Sequence, residues 1–207
     1  MKVIIIIVII LFILIFNNLE IEHFNENNEI IIVGNAPYDK NKPHGDIIDN
    51  FRNVVRFNNF DVSQNHQKYI GSKTDYWCMS CFVYYSNKKL FNEKKENINN
   101  IFILKPEVFL NKYPVEPNPK IKLLIQNKDI NVPEEYDFGK NWPSTGLLAI
   151  FYFLQLHPQV YVTGFNHFDK SKGSIHYYES LKQIGHKSDL EKKIFNDLKL
   201  KGKILFI

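Results

Sequence analysis

Trp142-Pro143-Ser144-Thr145-Gly146-Leu147-Leu148-Ala149-Ile150-Phe151-Tyr152-Phe153-Leu154-Gln155-Leu156, followed shortly by Gln159-Val160-Tyr161-Val162-Thr163-Gly164, is the stretch that decides the fold. Pro143 and Ser144 mark a helix start, and the run predicts a strongly apolar helix over 145–156. The second piece is a β-branched run closed by glycine, which predicts a buried strand over 159–163. A helix that leads straight into such a strand is the repeating unit of an α/β sheet.

The same alternation extends upstream and downstream. Glu29 to Val33 reads as a first buried strand ended by Gly34-Asn35-Ala36-Pro37, which is turn chemistry. Gly45 to Asn50 suits a short helix. Strands are predicted over 53–57, 75–83 and 101–104, with another extended segment over 120–125. Residues 111–119 hold several prolines and form a loop. An amphipathic helix is predicted over 188–199 and a last strand over 203–207. The expected architecture is a single Rossmann-like α/β domain, a mostly parallel sheet with helices on both faces. In such open sheets ligands bind at the carboxyl ends of the strands. The expected site therefore lies near Gly34-Asn35, Arg56-Phe57-Asn58 and Gly164-Phe165-Asn166, with free N–H groups at the helix start near Ser144 facing an anion.

Composition narrows the function classes. The chain has 207 residues, 44% hydrophobic and 14% aromatic, which excludes a disordered protein. A net charge of +4 with basic residues scattered along the chain gives no footprint for nucleic acid. Gly34 is not followed by the later glycines of a dinucleotide fingerprint, which argues against a nicotinamide enzyme. Cys78 and Cys81 lack the second pair that a structural zinc site requires and read as two core-filling thiols on a strand, pointing to opposite faces. Val3 to Phe16 is wholly apolar with Lys2 before it. It reads first as an uncleaved signal anchor over 1–17, a transmembrane tether, with a cleaved signal peptide or a buried element as alternatives. A polar stalk over 18–28 would then precede a domain over 29–207.

Several short blocks carry the chemistry. Val54-Val55-Arg56-Phe57-Asn58 ends an apolar strand with a cation and an amide. Arg56 is either a surface charge or a tie between loops through a carboxylate such as Asp49 or Asp75, and the second reading is preferred. Asn58 and Asn35 are amides at strand ends, suited to holding a ligand. Glu191 follows His186 by five residues, which does not place them on one helical face. Glu191 therefore reads as holding a loop to a helix start.

In this order the blocks resemble the motif set of the eukaryotic-type sialyltransferases. Val33-Gly34-Asn35, Ile48-Asp49, Val54 to Asn58 and Ile70-Gly71-Ser72-Lys73-Thr74-Asp75 resemble the family's long motif. Trp142 to Gly146 with Val160 to Phe165 resembles the short one. His176-Tyr177-Tyr178-Glu179 and His186 with Glu191 resemble the last two. The resemblance implies a variant of the GT-A-like fold and a metal-independent, cofactor-free, inverting transfer of sialic acid from CMP-sialic acid to a hydroxyl of a glycan acceptor. It implies His186 as general base and His176 as hydrogen-bond donor to the leaving phosphate, with Tyr177 or Tyr178 assisting. Asn35 and Asn58 would hold the nucleotide, and Ser144, Thr145 and Gly146 the donor sugar. A transferase for another CMP-activated acid sugar and a non-catalytic nucleotide- or glycan-binding relative are the alternatives. The disulfide usual in the family is missing, because the matching positions here are Ile30 and His157. The membrane would be met only through the N-terminal segment.

Overall fold

The computed structural model describes residues 30–166, 176–178 and 188–207. Seven strands form one sheet in the order β5-β4-β3-β2-β1-β6-β7, and every adjacent pair is parallel. They are β1 (Ile30–Val33), β2 (Asn53–Phe57), β3 (Tyr76–Ser80), β4 (Asn100–Lys105), β5 (Ile121–Ile125), β6 (Val160–Thr163) and β7 (Ile204–Phe206). The helices are α1 (Gly45–Asp49), α2 (Gln64–Ile70), α3 (Cys81–Ser86), α4 (Lys88–Lys94), α5 (Thr145–Leu156) and α6 (Ser188–Leu200). The expected α/β sheet, covered on both faces, is what the chain forms.

Both faces of the sheet are buried because the central strands are apolar at successive positions. All four residues of β1 are inaccessible, so the strand cannot alternate between core and solvent. Ile30 and Ile32 pack under α5 and α6, in one core with Leu147, Phe153 and Phe195. Ile31 and Val33 face the other side, against Ile48, Phe51 and Tyr161. A third cluster around Trp77, Tyr84 and Phe91 seats α3 and α4. Helix α5 is buried along Thr145 to Phe153, and this explains why its sequence shows no polar face. Ile30, one of the two positions matched to the disulfide that the resemblance implies, is buried in this core and paired with Asn53 in the β1–β2 ladder.

The sequence reading runs the third strand three residues too far. Residues 75–83 were expected as a strand, but β3 stops at Ser80, whose hydroxyl accepts the N–H of Val83 and starts α3. Cys78 and Cys81 still lie in different cores, free and buried, with both thiol pKa values pushed up by burial. Helix α2 was missed because only Ile70 in Gln64–Ile70 is buried, leaving no apolar periodicity to read. The anchor and stalk readings over 1–28 lie outside the described residues. Among the described residues, no helix is long and apolar enough to cross a membrane.

The order in which strands are added reverses between β1 and β6. The chain builds outward from β1 through β2, β3, β4 and β5 on one side, then returns to place β6 and β7 on the other. This is the topological switch point, where adjacent loops diverge and leave a crevice. Just beyond it the two backbones meet directly: Gly34 N–H donates to Thr163 O (2.7 Å) and Ala36 N–H to Gly164 O (2.9 Å). A Cβ on Gly34 would stand 2.0 Å from Gly164 O, and one on Gly164 (φ +69°) 2.5 Å from Gly34 O. Gly34→Ala is expected to destabilise the fold by about 3 kcal/mol or more, because a backbone atom must move. Gly202→Ala, also at positive φ but with nothing within 4 Å, should lose only about 1 kcal/mol. Urea unfolding of both variants checks this, and equal losses would contradict it.

Candidate functional site

The strand ends at the carboxyl edge are stitched together by asparagine side chains. Asn35, 8% exposed, leaves β1 and donates through Nδ2 to Phe57 O at the end of β2 (2.9 Å) and to the Tyr178 hydroxyl (3.3 Å). Its own carbonyl accepts the N–H of Tyr177 (3.0 Å). Asn58 repeats the device one strand further. Its Oδ1 accepts from Ser80 N–H at the end of β3 (2.9 Å), and its Nδ2 reaches the Thr145 hydroxyl on α5 (3.4 Å). Its carbonyl accepts from Trp77 Nε1 (2.9 Å). Asn58 sits at φ +50°, a left-handed conformation that asparagine tolerates better than most residues. Both amides hold the frame, and their remaining donor and acceptor capacity is what a ligand could use.

The stretch between Asn58 and β3 is shaped from within. Arg56 is 1% exposed, and its guanidinium donates to Lys73 O (2.9 Å), Ile70 O (2.8 Å) and the Thr74 hydroxyl (3.2 Å). Burial pulls its pKa down to about 10, so it is charged at neutral pH. It therefore ties loops together as expected, but through carbonyls. Asp49 instead accepts from the N–H groups of Ser72 and Lys73 and from the Ser72 hydroxyl. Asp75 accepts the N–H of Val54. Gly71 stands at φ +70°, where a Cβ would meet Asp49 Oδ1 at 2.3 Å. The Ile70 to Asp75 block thus has a structural reason for nearly every residue.

At the start of α5, Ser144 is the N-cap and Glu191 holds it in place. This carboxylate from α6 is 2% exposed and accepts from Ser144 N–H (2.7 Å) and the Ser144 hydroxyl (2.7 Å). The same hydroxyl accepts the N–H of Leu147 (3.2 Å). Glu191 therefore does hold a loop to a helix start. The single hydroxyl hydrogen of Ser144 is committed to Glu191, so Ser144 is no donor toward a ligand here. Thr145 and Gly146 keep first-turn N–H groups without a partner among the described residues. Gly146 has a packing role too: a Cβ there would lie 2.8 Å from the Phe165 ring.

Tyr177 and His176 arrive from a distant part of the chain. The Tyr177 hydroxyl donates to Asp61 O (2.7 Å) and accepts from Asp61 N–H (2.8 Å). Burial pushes its pKa up to about 12. His176 stacks on Tyr178, centroids 5.3 Å apart at 22°. His186 lies outside the described residues, as does Glu179. The structure thus joins Asn35, Asn58, Thr145, Ser144, Gly146, His176 and Tyr177 in one continuous belt along the carboxyl edge. Sequence reading missed Asp61, His66, Tyr38 and Tyr69, which have no motif and meet only through folding.

Among the described residues, two cavities border this edge. One of about 200 Å³ opens at the switch point, lined by Ala36, Pro37, Tyr38, Lys42, His44, Tyr69 and residues 163–166 among others. It is smaller than a typical site for a nucleotide-sized ligand. The other, about 800 Å³, lies past the ends of β4 and β5 and is lined by Glu107, Gln126, Asn131, Glu134, Asp137 and Asn141 among others. Among the described residues, no group of three His, Cys, Asp or Glu side chains could hold a metal ion.

Against known proteins, the model of glycosyltransferase family 29 (sialyltransferase) matches residues 13–111 and 119–203. The chain belongs to that family. It is similar to human CMP-N-acetylneuraminate-beta-galactosamide-alpha-2,3-sialyltransferase 4, with 29% identity over 185 residues. That match covers 73% of this chain and 54% of the human protein, so the chain spans about half the length of the curated relatives it matches. Its fold is like that of a mammalian sialyltransferase in complex with Gal-beta-1-3GalNAc-ortho-nitrophenol, at TM-score 0.53 and 21% identity, covering 86% of this chain and 68% of that one. It is also like a Campylobacter jejuni sialyltransferase in complex with a substrate analogue, CMP-3FNeuAc. There the TM-score is 0.60 and the identity 16%, covering 86% of this chain and 80% of that one.

Burial raises the Glu191 pKa from 4.5 to about 7, against the two Ser144 hydrogen bonds that lower it. The folded state thus keeps a proton over the interval in which the unfolded chain has lost it. Stability from this group is full below pH 4.5 and falls as pH rises to about 7. Glu191→Gln, which mimics the protonated form, should match the wild type near pH 5 and exceed it near pH 8 by up to about 3 kcal/mol. Urea unfolding across pH 5–8 reads this difference, and parallel curves would contradict it.

Proposed function

We propose that this chain transfers sialic acid from CMP-sialic acid to a hydroxyl of a glycan acceptor, with inversion. Family membership supports the reaction class, and the ligands bound in the solved relatives support a CMP-linked donor and a galactoside-type acceptor. The observation that carries the reading is the docking of the His-Tyr-Tyr segment onto Asn35. The Tyr177 N–H to Asn35 O bond and the Asn35 to Tyr178 bond bring His176 to the end of β1, at the switch point.

In this reading the nucleotide lies over Gly34-Asn35 and Asn58, and the donor's anionic groups face the first turn of α5. Thr145 and Gly146 offer N–H groups there, at the positive end of the helix. His176 donates a hydrogen bond to the departing CMP phosphate, on which charge builds as the glycosidic bond breaks. His186 takes the proton of the acceptor hydroxyl as it attacks, a role suited to an imidazole at neutral pH. The apolar run over 3–16 would tether the domain to a membrane.

Released CMP is the readout. Wild type should turn over CMP-sialic acid with a β-galactoside acceptor. His186→Ala should lower kcat by about 10²–10⁴-fold, and His176→Ala by about 10²–10³-fold. CMP affinity by calorimetry should stay within a few-fold in both, with UMP binding far more weakly. An active His186→Ala enzyme removes the base assignment, and equal affinity for UMP removes the CMP-linked donor.

A further inference from the structure

Tyr177 is held by more than its backbone bond to Asn35. Both hydrogen-bonding roles of its hydroxyl are taken by the main chain of Asp61, and the imidazole of His66 packs edge-on against its ring, centroids 5.0 Å apart at 66°. That imidazole is itself fixed at both nitrogens. Nε2 faces the Asp61 carboxylate (3.3 Å), and Nδ1 faces the Tyr38 hydroxyl (2.9 Å). With Nε2 donating to Asp61, the neutral ring accepts the Tyr38 O–H at Nδ1, so one tautomer satisfies every partner. Tyr38 in turn stacks on Tyr69, centroids 4.5 Å apart at 11°. The loop after β1, the loop after β2 and α2 therefore converge on one phenol that lies next to His176.

We propose that Asp61, His66 and Tyr38 form a clamp on Tyr177 that sets the position of His176 at the end of β1, making His66 a positioning residue for the transfer reaction. This rests on the sialyl-transfer reading for its kinetic consequence, but the clamp itself is a statement about residues 176–178. His66 acts through Tyr177 and meets no substrate. Its loss should leave nucleotide binding alone and lower the rate of the chemical step, because a leaving-group contact displaced by about 1 Å can lower the rate about 10²-fold.

Two variants test the clamp. Tyr177→Phe keeps the ring and removes the hydroxyl, and His66→Phe keeps the edge-on packing and removes both polar contacts. Amide hydrogen exchange at Tyr177, followed by NMR in the full chain, reads the clamp without any substrate. Exchange should quicken at least 10-fold in both variants while the β1 and β2 amides stay unchanged. In parallel, kcat for CMP release should fall at least 10-fold, with KM for CMP-sialic acid and the CMP Kd within about 3-fold. Unchanged exchange at Tyr177 in both variants overturns the proposal. So does a rise in KM at constant kcat, which would make His66 a substrate contact. If wild type turned over no donor while the exchange result held, the transfer reading would fail and the clamp would stand.

Discussion

Everything at the carboxyl edge follows from the close approach of β1 and β6. Two glycines let the backbones of these parallel strands hydrogen-bond directly past the end of the sheet, where side chains would collide. That seals the strand ends to each other and turns the chain after Gly34 toward β2. Asn35 is then placed to cap β2 with its amide and to receive the His-Tyr-Tyr segment with its carbonyl. Asn58 extends the same logic to β3 and α5. The two amides tie the ends of three neighbouring strands together by hydrogen bonds alone.

Charge at this edge is distributed with restraint. The buried Arg56 keeps its charge, has its donors taken up by neutral oxygens of the neighbouring loop, and is 1% exposed. The buried Glu191 sits at the positive end of α5 and offsets part of the field that an anion would meet there. Its raised pKa softens that opposition near neutral pH. A site built this way depends on hydrogen-bond donors and helix dipole more than on bare cations.

The fold was legible because its core strands are buried on both faces. Ile30 to Val33, Val54 to Phe57 and Val160 to Thr163 read as apolar runs closed by turn residues, and the structure keeps all three. Helix α5 was legible for a similar reason, since Ser144 is a true N-cap and the helix is buried almost throughout. Helices α2 and α3 were not. One has a single buried residue, and the other continues an aromatic and β-branched run whose break depends on one serine hydroxyl. Of the site, motif order singled out the residues that the structure joins in the belt, and the spacing of Glu191 from His186 pointed to its hold on a helix start. The commitments of Arg56 and of the Ser144 hydroxyl needed three-dimensional partners 14 to 47 residues away. The Asp61, His66 and Tyr38 group had no sequence signal, because its link to Tyr177 spans 116 residues.

The central claim is spatial: the nucleotide belongs at the β1–β6 switch point, between the glycine–asparagine turn and the first turn of α5. A crystal structure of the chain with bound CMP tests it most directly. The account predicts the cytidine beside Gly34-Asn35 and Asn58, with the phosphate facing His176 and the N–H groups of Thr145 and Gly146. Nucleotide density in the larger cavity past β4 and β5, with the switch point empty, would contradict it.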